Sequence, residues 1–194
     1  FITIDGAEGG TGAAPAEFMD YIGVPLIEGL VFVHNALVGT GLREHIRLIC
    51  SGKVINGFDM ATKIALGADI CNSARGMMFA LGCIQSRRCH NNLCPTGVTT
   101  QDPARVLALD VDDKGPRVKN FHHNTIGSFL EVLGATGLEK VSDLEPSYIY
   151  KVVNHKRALH YDEIYEFLQP GQLLAGQIPE ELQDAWAKAD PNKF

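Results

Sequence analysis

The sequence predicts an α/β fold built from parallel βα units. Two observations carry that expectation. Short runs of near-continuous apolar character alternate with helical patterns, and each run empties into a loop containing glycine or small polar residues. No apolar run approaches the roughly 20 residues needed to cross a bilayer, so the runs read as buried strands and core-facing helices.

Ile2 to Ile4 is a β-branched run closed by Asp5-Gly6, and Gly9, Gly10 and Gly12 make the loop after it permissive. From about residue 26 to 38, Leu26, Leu30, Val33 and Leu37 fall on one helical face. "IRLIC" (46–50) is the second strand, followed by "SGKVING". The helix expected over about 58–66 ends at Gly67, a natural C′ position. "ADICN" (68–72) is the third strand, leading through "SARG" into an apolar helix, "MMFALGC". The loops after the strands share the C-terminal edge of the sheet, where a doubly wound sheet and a (βα)8 barrel both place their sites. The pattern alone does not choose between them, and three strands close neither.

The second half reads differently. Residues 106–119 carry Asp110, Asp112, Asp113 and Lys114 with Gly115-Pro116, and are expected to form a solvated surface loop. A helix over about 120–133 follows, opened by Asn120 with His122-His123 near its start, and ends at Gly134. "PSYIYKVV" and "YDEIYEFL" give short elements, and the tail from residue 179 is a short amphipathic helix around Trp186 with a polar end.

The 194 residues are 45% hydrophobic and 21% charged, with a net charge of -6. The acidic balance argues against nucleic acid or an anionic membrane as the main partner. Five cysteines, an odd number, do not suggest a secreted disulfide scaffold and point to a reducing, cytoplasmic setting. The chain opens at Phe1 directly inside a strand-like run, which suggests the C-terminal piece of a longer protein.

Three of the cysteines fall within "CIQSRRCHNNLC" (83–94), spaced Cys83-x5-Cys89-x4-Cys94 and followed by Pro95. A structural zinc site takes four ligands, usually from two close pairs, and here only His90 offers a fourth. A 4Fe–4S cluster takes four cysteines, whereas Cys50 and Cys71 lie in expected buried strands. Three thiolates suit a cluster lacking one iron. Zinc and three unliganded thiols stay open on spacing alone.

The longer stretch "LGCIQSRRCHNNLCPTGVTTQDP" resembles the iron–sulfur segment of the glutamate synthase large subunit family, roughly L-G-C-x5-C-H-x-N-x-C-P-x-G-V-A-T-Q-D. Only Thr99 departs, where alanine is common. Upstream, "ITIDGAEGGTGAAP" resembles the family's I-T-I-x-G-x-D-G-G-T-G-A-S-P, with Glu8 in place of Asp. "IRLICSGKVINGFDMATKIALGA" resembles the next unit, matching at Gly52, Gly57 and Asp59, with Ser51 and Lys53 as departures; Asn72-Ser73-Ala74-Arg75 departs as well.

The resemblance, close over 2–102 and looser over 120–140, implies the C-terminal portion of an FMN-binding (βα)8 barrel, about strands six to eight, in residues 1–82. A 3Fe–4S loop over 83–102 and a mainly helical extension over 103–194 follow. It implies that Cys83, Cys89 and Cys94 ligate the cluster. The implied FMN-binding residues are Gly9, Gly10, Thr11, Ser51, Gly52, Lys53, Ser73, Ala74 and Arg75. Amides at the start of the helix after "SARG" would make an anion site, and Arg75 would add a charged phosphate contact. On the residues alone, plain glycine turns and an Arg lying outside the helix are the alternatives.

The implied activity passes electrons from a donor protein or NAD(P)H-oxidising subunit through the cluster and FMN to 2-iminoglutarate. That imine forms from 2-oxoglutarate and ammonia, and L-glutamate is the product. The same scaffold also suits another imine, aminomethyl transfer to glutamate, or an electron-transfer fragment that needs a partner chain. The family's substrate-binding half of the barrel is not matched, so no catalytic residue is assigned, and no amidotransferase nucleophile is expected in these residues.

Overall fold

The computed structural model describes residues 1–9 and 14–193. Three short strands, β1 (Ile2–Asp5), β2 (Leu48–Ser51) and β3 (Ile70–Asn72), form a parallel sheet in the order β1-β2-β3. The helix α1 (Ala16–Tyr21) and the longer α2 (Leu26–Gly39) lie between β1 and β2, and α3 (Gly57–Ala65) lies between β2 and β3. The expected parallel βα units are present; β1 extends one residue past its apolar run, whereas β2 and β3 are a residue or two shorter than theirs.

Register sets the two faces of the sheet. Ile4, Cys50 and Cys71 stand opposite one another, and Thr3, Ile49 and Ile70 form the neighbouring row. The first row packs into the core with α2 and α3, where Leu26, Leu30, Leu48 and Leu66 are fully buried. On the other face Thr3, Asp5, Ile70 and Asn72 are exposed. The sheet is therefore covered on one side only among the described residues. At the N-terminal end of the strands Asp69 accepts from the Leu48 amide (2.7 Å) and pairs with Arg43 (2.8 Å) and Arg47 (3.1 Å), which ties β2 to β3.

The start of α3 is set by a capping box. Asn56 accepts from the Asp59 amide at 2.8 Å, and the Asp59 carboxylate reaches back to the Asn56 amide at 3.3 Å. Gly67 follows the helix with φ +106°, as its place after the last turn requires. Gly57 is required by contact: a Cβ there would stand 2.3 Å from the Phe129 nitrogen.

After α4 (Arg75–Ala80) no helix or strand forms until α5 (Pro103–Val106). The next helix corrects the expectation for residues 106–119. Instead of a loop, α6 runs through Val111–Ala135, with Pro116 inside it. Asp110 is its N-cap, accepting from the Asp112 amide at 2.9 Å, and Asp112 and Asp113 occupy the first turn, where the helix dipole favours carboxylates. Gly115-Pro116 reads as a turn but removes only one helical hydrogen bond. Burial of Phe129 and Leu133 where α6 packs against α3 outweighs that loss. His122 and His123 consequently lie mid-helix, exposed, rather than at a helix start.

The extension adds an antiparallel hairpin, β4 (Tyr150–Asn154) and β5 (Arg157–His160), then α7 (Tyr161–Ile164) and α8 (Glu180–Lys188). It docks on α2: buried Asn35 donates to the Glu166 carbonyl (2.7 Å) and accepts from the Leu168 amide (3.1 Å), and a small second core gathers Leu168, Leu173 and Leu182. No helix among the described residues is long and apolar enough to cross a membrane.

Candidate functional site

The loops leaving β1, β2 and β3 meet at the C-terminal edge of the sheet. Gly10 and Thr11 lie outside the described residues, as does Gly12. Gly9 is in contact with the second loop: a Cβ on it would stand 3.0 Å from the Gly52 Cα and 3.1 Å from an Asp5 carboxylate oxygen. The missing side chain of Gly9 lets these loops touch, whereas a Cβ on Gly52 would stand 3.2 Å from Leu26 at the start of α2. Ser51 ends β2, and its carbonyl accepts from the Gly6 amide at 2.8 Å. Glu8, longer than the Asp of the family pattern, accepts from the first amide of α2, Leu26, at 2.9 Å. The carboxylate thus caps a helix where the dipole favours it.

The third loop is pinned to the second. Ser73 donates from its hydroxyl to the Val54 carbonyl at 2.6 Å, so that hydroxyl serves loop-to-loop positioning. Ala74 is the N-cap of α4 and Arg75 its first residue. Lys53 is exposed and holds a left-handed backbone, φ +47°. The described residues assigned to the flavin from sequence therefore lie at one edge of the sheet, in or bordering three loops of which the second touches the first and the third. A cleft of about 470 Å³ opens at the opposite end, beside Arg43, Asp69 and Phe167. Arg43 there is already engaged with Asp69, His34 and the carbonyls of Ile46 and Gly67. His34 is a structural acceptor for Arg43; burial and the Arg43 cation hold its pKa down at about 4.

The cysteine loop starts where α4 stops, the Cys83 amide donating to the Met78 carbonyl at 3.0 Å. Side chains organise it. Asn92, at φ +64°, accepts from the Gln101 amide at 2.7 Å, and the Thr100 hydroxyl lies 2.7 Å from its carbonyl. Arg105 reaches the carbonyls of Leu93 (3.3 Å) and Cys94 (3.4 Å) and pairs with Asp102 at 3.2 Å. Gly97 is compulsory: φ is +78°, and a Cβ would stand 2.3 Å from the Arg105 carbonyl oxygen. Sequence reading missed Thr96 and Arg105. A Cys-Pro-Thr-Gly turn facing an i+11 arginine was the available signal.

Cys94 is buried, whereas Cys83 and Cys89 are half-exposed. Burial pushes the Cys94 thiol pKa up, but the Thr96 hydroxyl, 3.6 Å from the sulfur, and the amides of Thr96 and Thr99 outweigh it and bring the pKa to about 6. The Thr99 hydroxyl, buried beside it, also favours the thiolate. Three thiols, one of them held toward thiolate, fit an iron–sulfur group in their donor chemistry. Among the described residues, however, no three His, Cys, Asp or Glu side chains are gathered closely enough to hold a metal ion.

The described residues include four non-glycine residues with positive φ. Lys53 lies in the glycine loops; Gln85, Arg87 and Asn92 lie in the cysteine loop. Such conformations cost energy and concentrate where surrounding structure imposes them for a purpose.

Residues 1–139 match the family model described as a conserved region in glutamate synthase. The chain is 44% identical over 138 residues to the glutamate synthase large subunit-like protein YerD of Bacillus subtilis, covering 71% of this chain and 26% of that protein. It is 38% identical over 143 residues to the archaeal glutamate synthase (NADPH) of Methanocaldococcus jannaschii, covering 74% and 28%. With the glutamate synthase (NADH) of Saccharomyces cerevisiae it shares 33% identity over 143 residues, 74% of this chain and 7% of that one. The chain thus spans about a quarter of the first two relatives.

Proposed function

The chain belongs to the glutamate synthase family, and on that premise we propose that it carries the cofactor-holding end of a barrel that makes L-glutamate from 2-oxoglutarate and ammonia. The three strands are, in this reading, the last of an FMN-binding (βα)8 barrel. Residues 83–102 form its cluster loop, and 103–194 form an extension that braces α2. The sheet face left uncovered supports a barrel whose other strands complete it.

The observation that carries the reading is the coincidence of strain and motif: every described non-glycine residue with positive φ falls in the glycine or the cysteine loops. When bound, the flavin supplies hydride transfer and a 3Fe–4S cluster supplies single electrons. The chain's own residues do the holding. Cys83, Cys89 and Cys94 would ligate the cluster, with Thr96 and the Thr99 amide keeping Cys94 in the thiolate form that metals require. Gly9, Gly10, Thr11, Ser51, Gly52, Lys53, Ser73, Ala74 and Arg75 would hold the flavin, the Ser73–Val54 bond fixing the third loop against the second. The relatives' names say that those proteins use NADPH or NADH, which supports a nicotinamide-oxidising donor here.

The test uses the complete protein purified anaerobically. It should contain FMN and about three irons per site. Supplied with a reduced donor, it should form L-glutamate only when 2-oxoglutarate and ammonia are both present. Cys89→Ser should lose iron and keep flavin, and Arg75→Ala should weaken FMN binding by roughly 1.5–3 kcal/mol. Stoichiometric zinc without iron, or turnover on another imine without glutamate, would overturn the reading.

A further inference from the structure

Two thiols lie outside everything assigned so far. Cys50 on β2 and Cys71 on β3 are register partners on neighbouring parallel strands, and their sulfurs are 3.5 Å apart. Neighbouring strands run about 4.8 Å apart, inside the roughly 4.4–6.8 Å Cα separation that a disulfide spans. Both are free thiols, Cys50 buried in the core and Cys71 half-buried at the sheet's outer strand.

The pair is asymmetric. The Cys50 S–H donates to the Cys71 sulfur. That bond holds the Cys50 pKa far up, reinforced by burial, and draws the Cys71 pKa down against the opposing effect of burial. Lys63, buried on α3, favours the thiolate at both sulfurs. These directions incline Cys71 toward thiolate and leave Cys50 a protonated thiol in contact with it.

We propose that Cys50 and Cys71 are a redox-active dithiol that a hydroperoxide oxidises to a disulfide stapling β2 to β3. The Cys71 thiolate attacks the peroxide O–O bond, forming a sulfenic acid and expelling an alkoxide (hydroxide, from hydrogen peroxide), which takes up a proton. Cys50 then forms the S–S bond by displacing the sulfenic oxygen as water, its own thiol proton leaving with that oxygen. Two thiols and one hydroperoxide become one disulfide, one alcohol (or water) and one water. The staple would sit one residue before Ser51 and two before Ser73, directly under two of the edge loops. The site needs neither cofactor, so its test is independent of the proposed function.

Trypsin separates the thiols cleanly. Cys50 falls in the peptide 48–53 and Cys71 in 64–75, while Cys83 falls in 76–87 and Cys89 and Cys94 share 89–105. The complete protein is reduced, exposed to hydrogen peroxide in molar excess, blocked with N-ethylmaleimide in denaturant and mapped by mass spectrometry. The expected product is the 48–53 peptide linked to 64–75, released by dithiothreitol. In Cys71→Ala the link should vanish and Cys50 should be recovered as its maleimide adduct. Recovery of both wild-type peptides as maleimide adducts, or cross-links confined to the 76–87 and 89–105 peptides, would overturn the proposal. The wild-type map decides the question even if the variant fails to fold.

Discussion

Residues 26–80 and residues 83–102 adjoin in the chain and are held by different forces. The first stretch is packed: Leu26, Leu30, Leu48 and Leu66 are fully buried between helices and one sheet face. In the second only Cys94 and Gly97 are buried, and order comes from side chains bonded to the backbone, chiefly Asn92 and Arg105. Apolar burial is cooperative and spreads damage across the whole core. A loop tied by a few hydrogen bonds opens locally and leaves the core intact. The two halves of the candidate site should therefore fail in different ways.

The largest effect tests the packed half. Leu30 is fully buried, so Leu30→Ala should cost about 3 kcal/mol through lost burial and a cavity. Urea unfolding measures it. The alkylation rate of Cys94 under native conditions should stay the same. A loss below about 1 kcal/mol, or a changed Cys94 rate, would erase the distinction between the halves.

This difference also decides what the sequence revealed. The helix over Leu26, Leu30, Val33 and Leu37 and the parallel strands were legible because burial imposes a period on the residues. The cysteine loop was legible only as a motif, since bonds such as Asn92 to Gln101 follow no period. The start of α6 was misread because Gly115-Pro116 is a local turn signal. What overrides it is contact with α3 at Phe129, more than ten residues away in sequence. The pairing of Cys50 with Cys71 needed the register, which no single strand contains.

The second prediction places a titratable group in the packed half. The His34 pKa is lowered from 6.5 to about 4 by burial and the Arg43 cation. Below 6.5 the unfolded chain takes a proton that the folded chain refuses until about pH 4. Stability should therefore fall as the pH drops through that window, this one group contributing about 3 kcal/mol in total. In His34→Gln, whose amide oxygen can still accept from Arg43, urea midpoints measured from pH 7 to pH 4 should decline less steeply. An unchanged slope would assign the acid sensitivity to other groups.

The smallest effect on stability belongs to the loop, and it is the sharpest probe of how the loop is held. Asn92 combines φ +64° with a side-chain oxygen that accepts from the Gln101 amide at 2.7 Å. Asn92→Ala removes the acceptor and puts a residue less tolerant of the left-handed region at that position, costing about 1–2 kcal/mol locally. Because the loop opens without unfolding the core, the urea midpoint should barely move. Hydrogen exchange at the Gln101 amide should accelerate strongly, reporting the opening directly. Asn92→Gly separates the two causes, since glycine accepts the backbone angle but supplies no oxygen. If glycine restores slow exchange, backbone conformation holds the loop; if exchange stays fast, the Asn92 hydrogen bond does. The way the loop is tied predicts the second outcome, because the Asn92 side-chain oxygen is the group that holds the Gln101 amide.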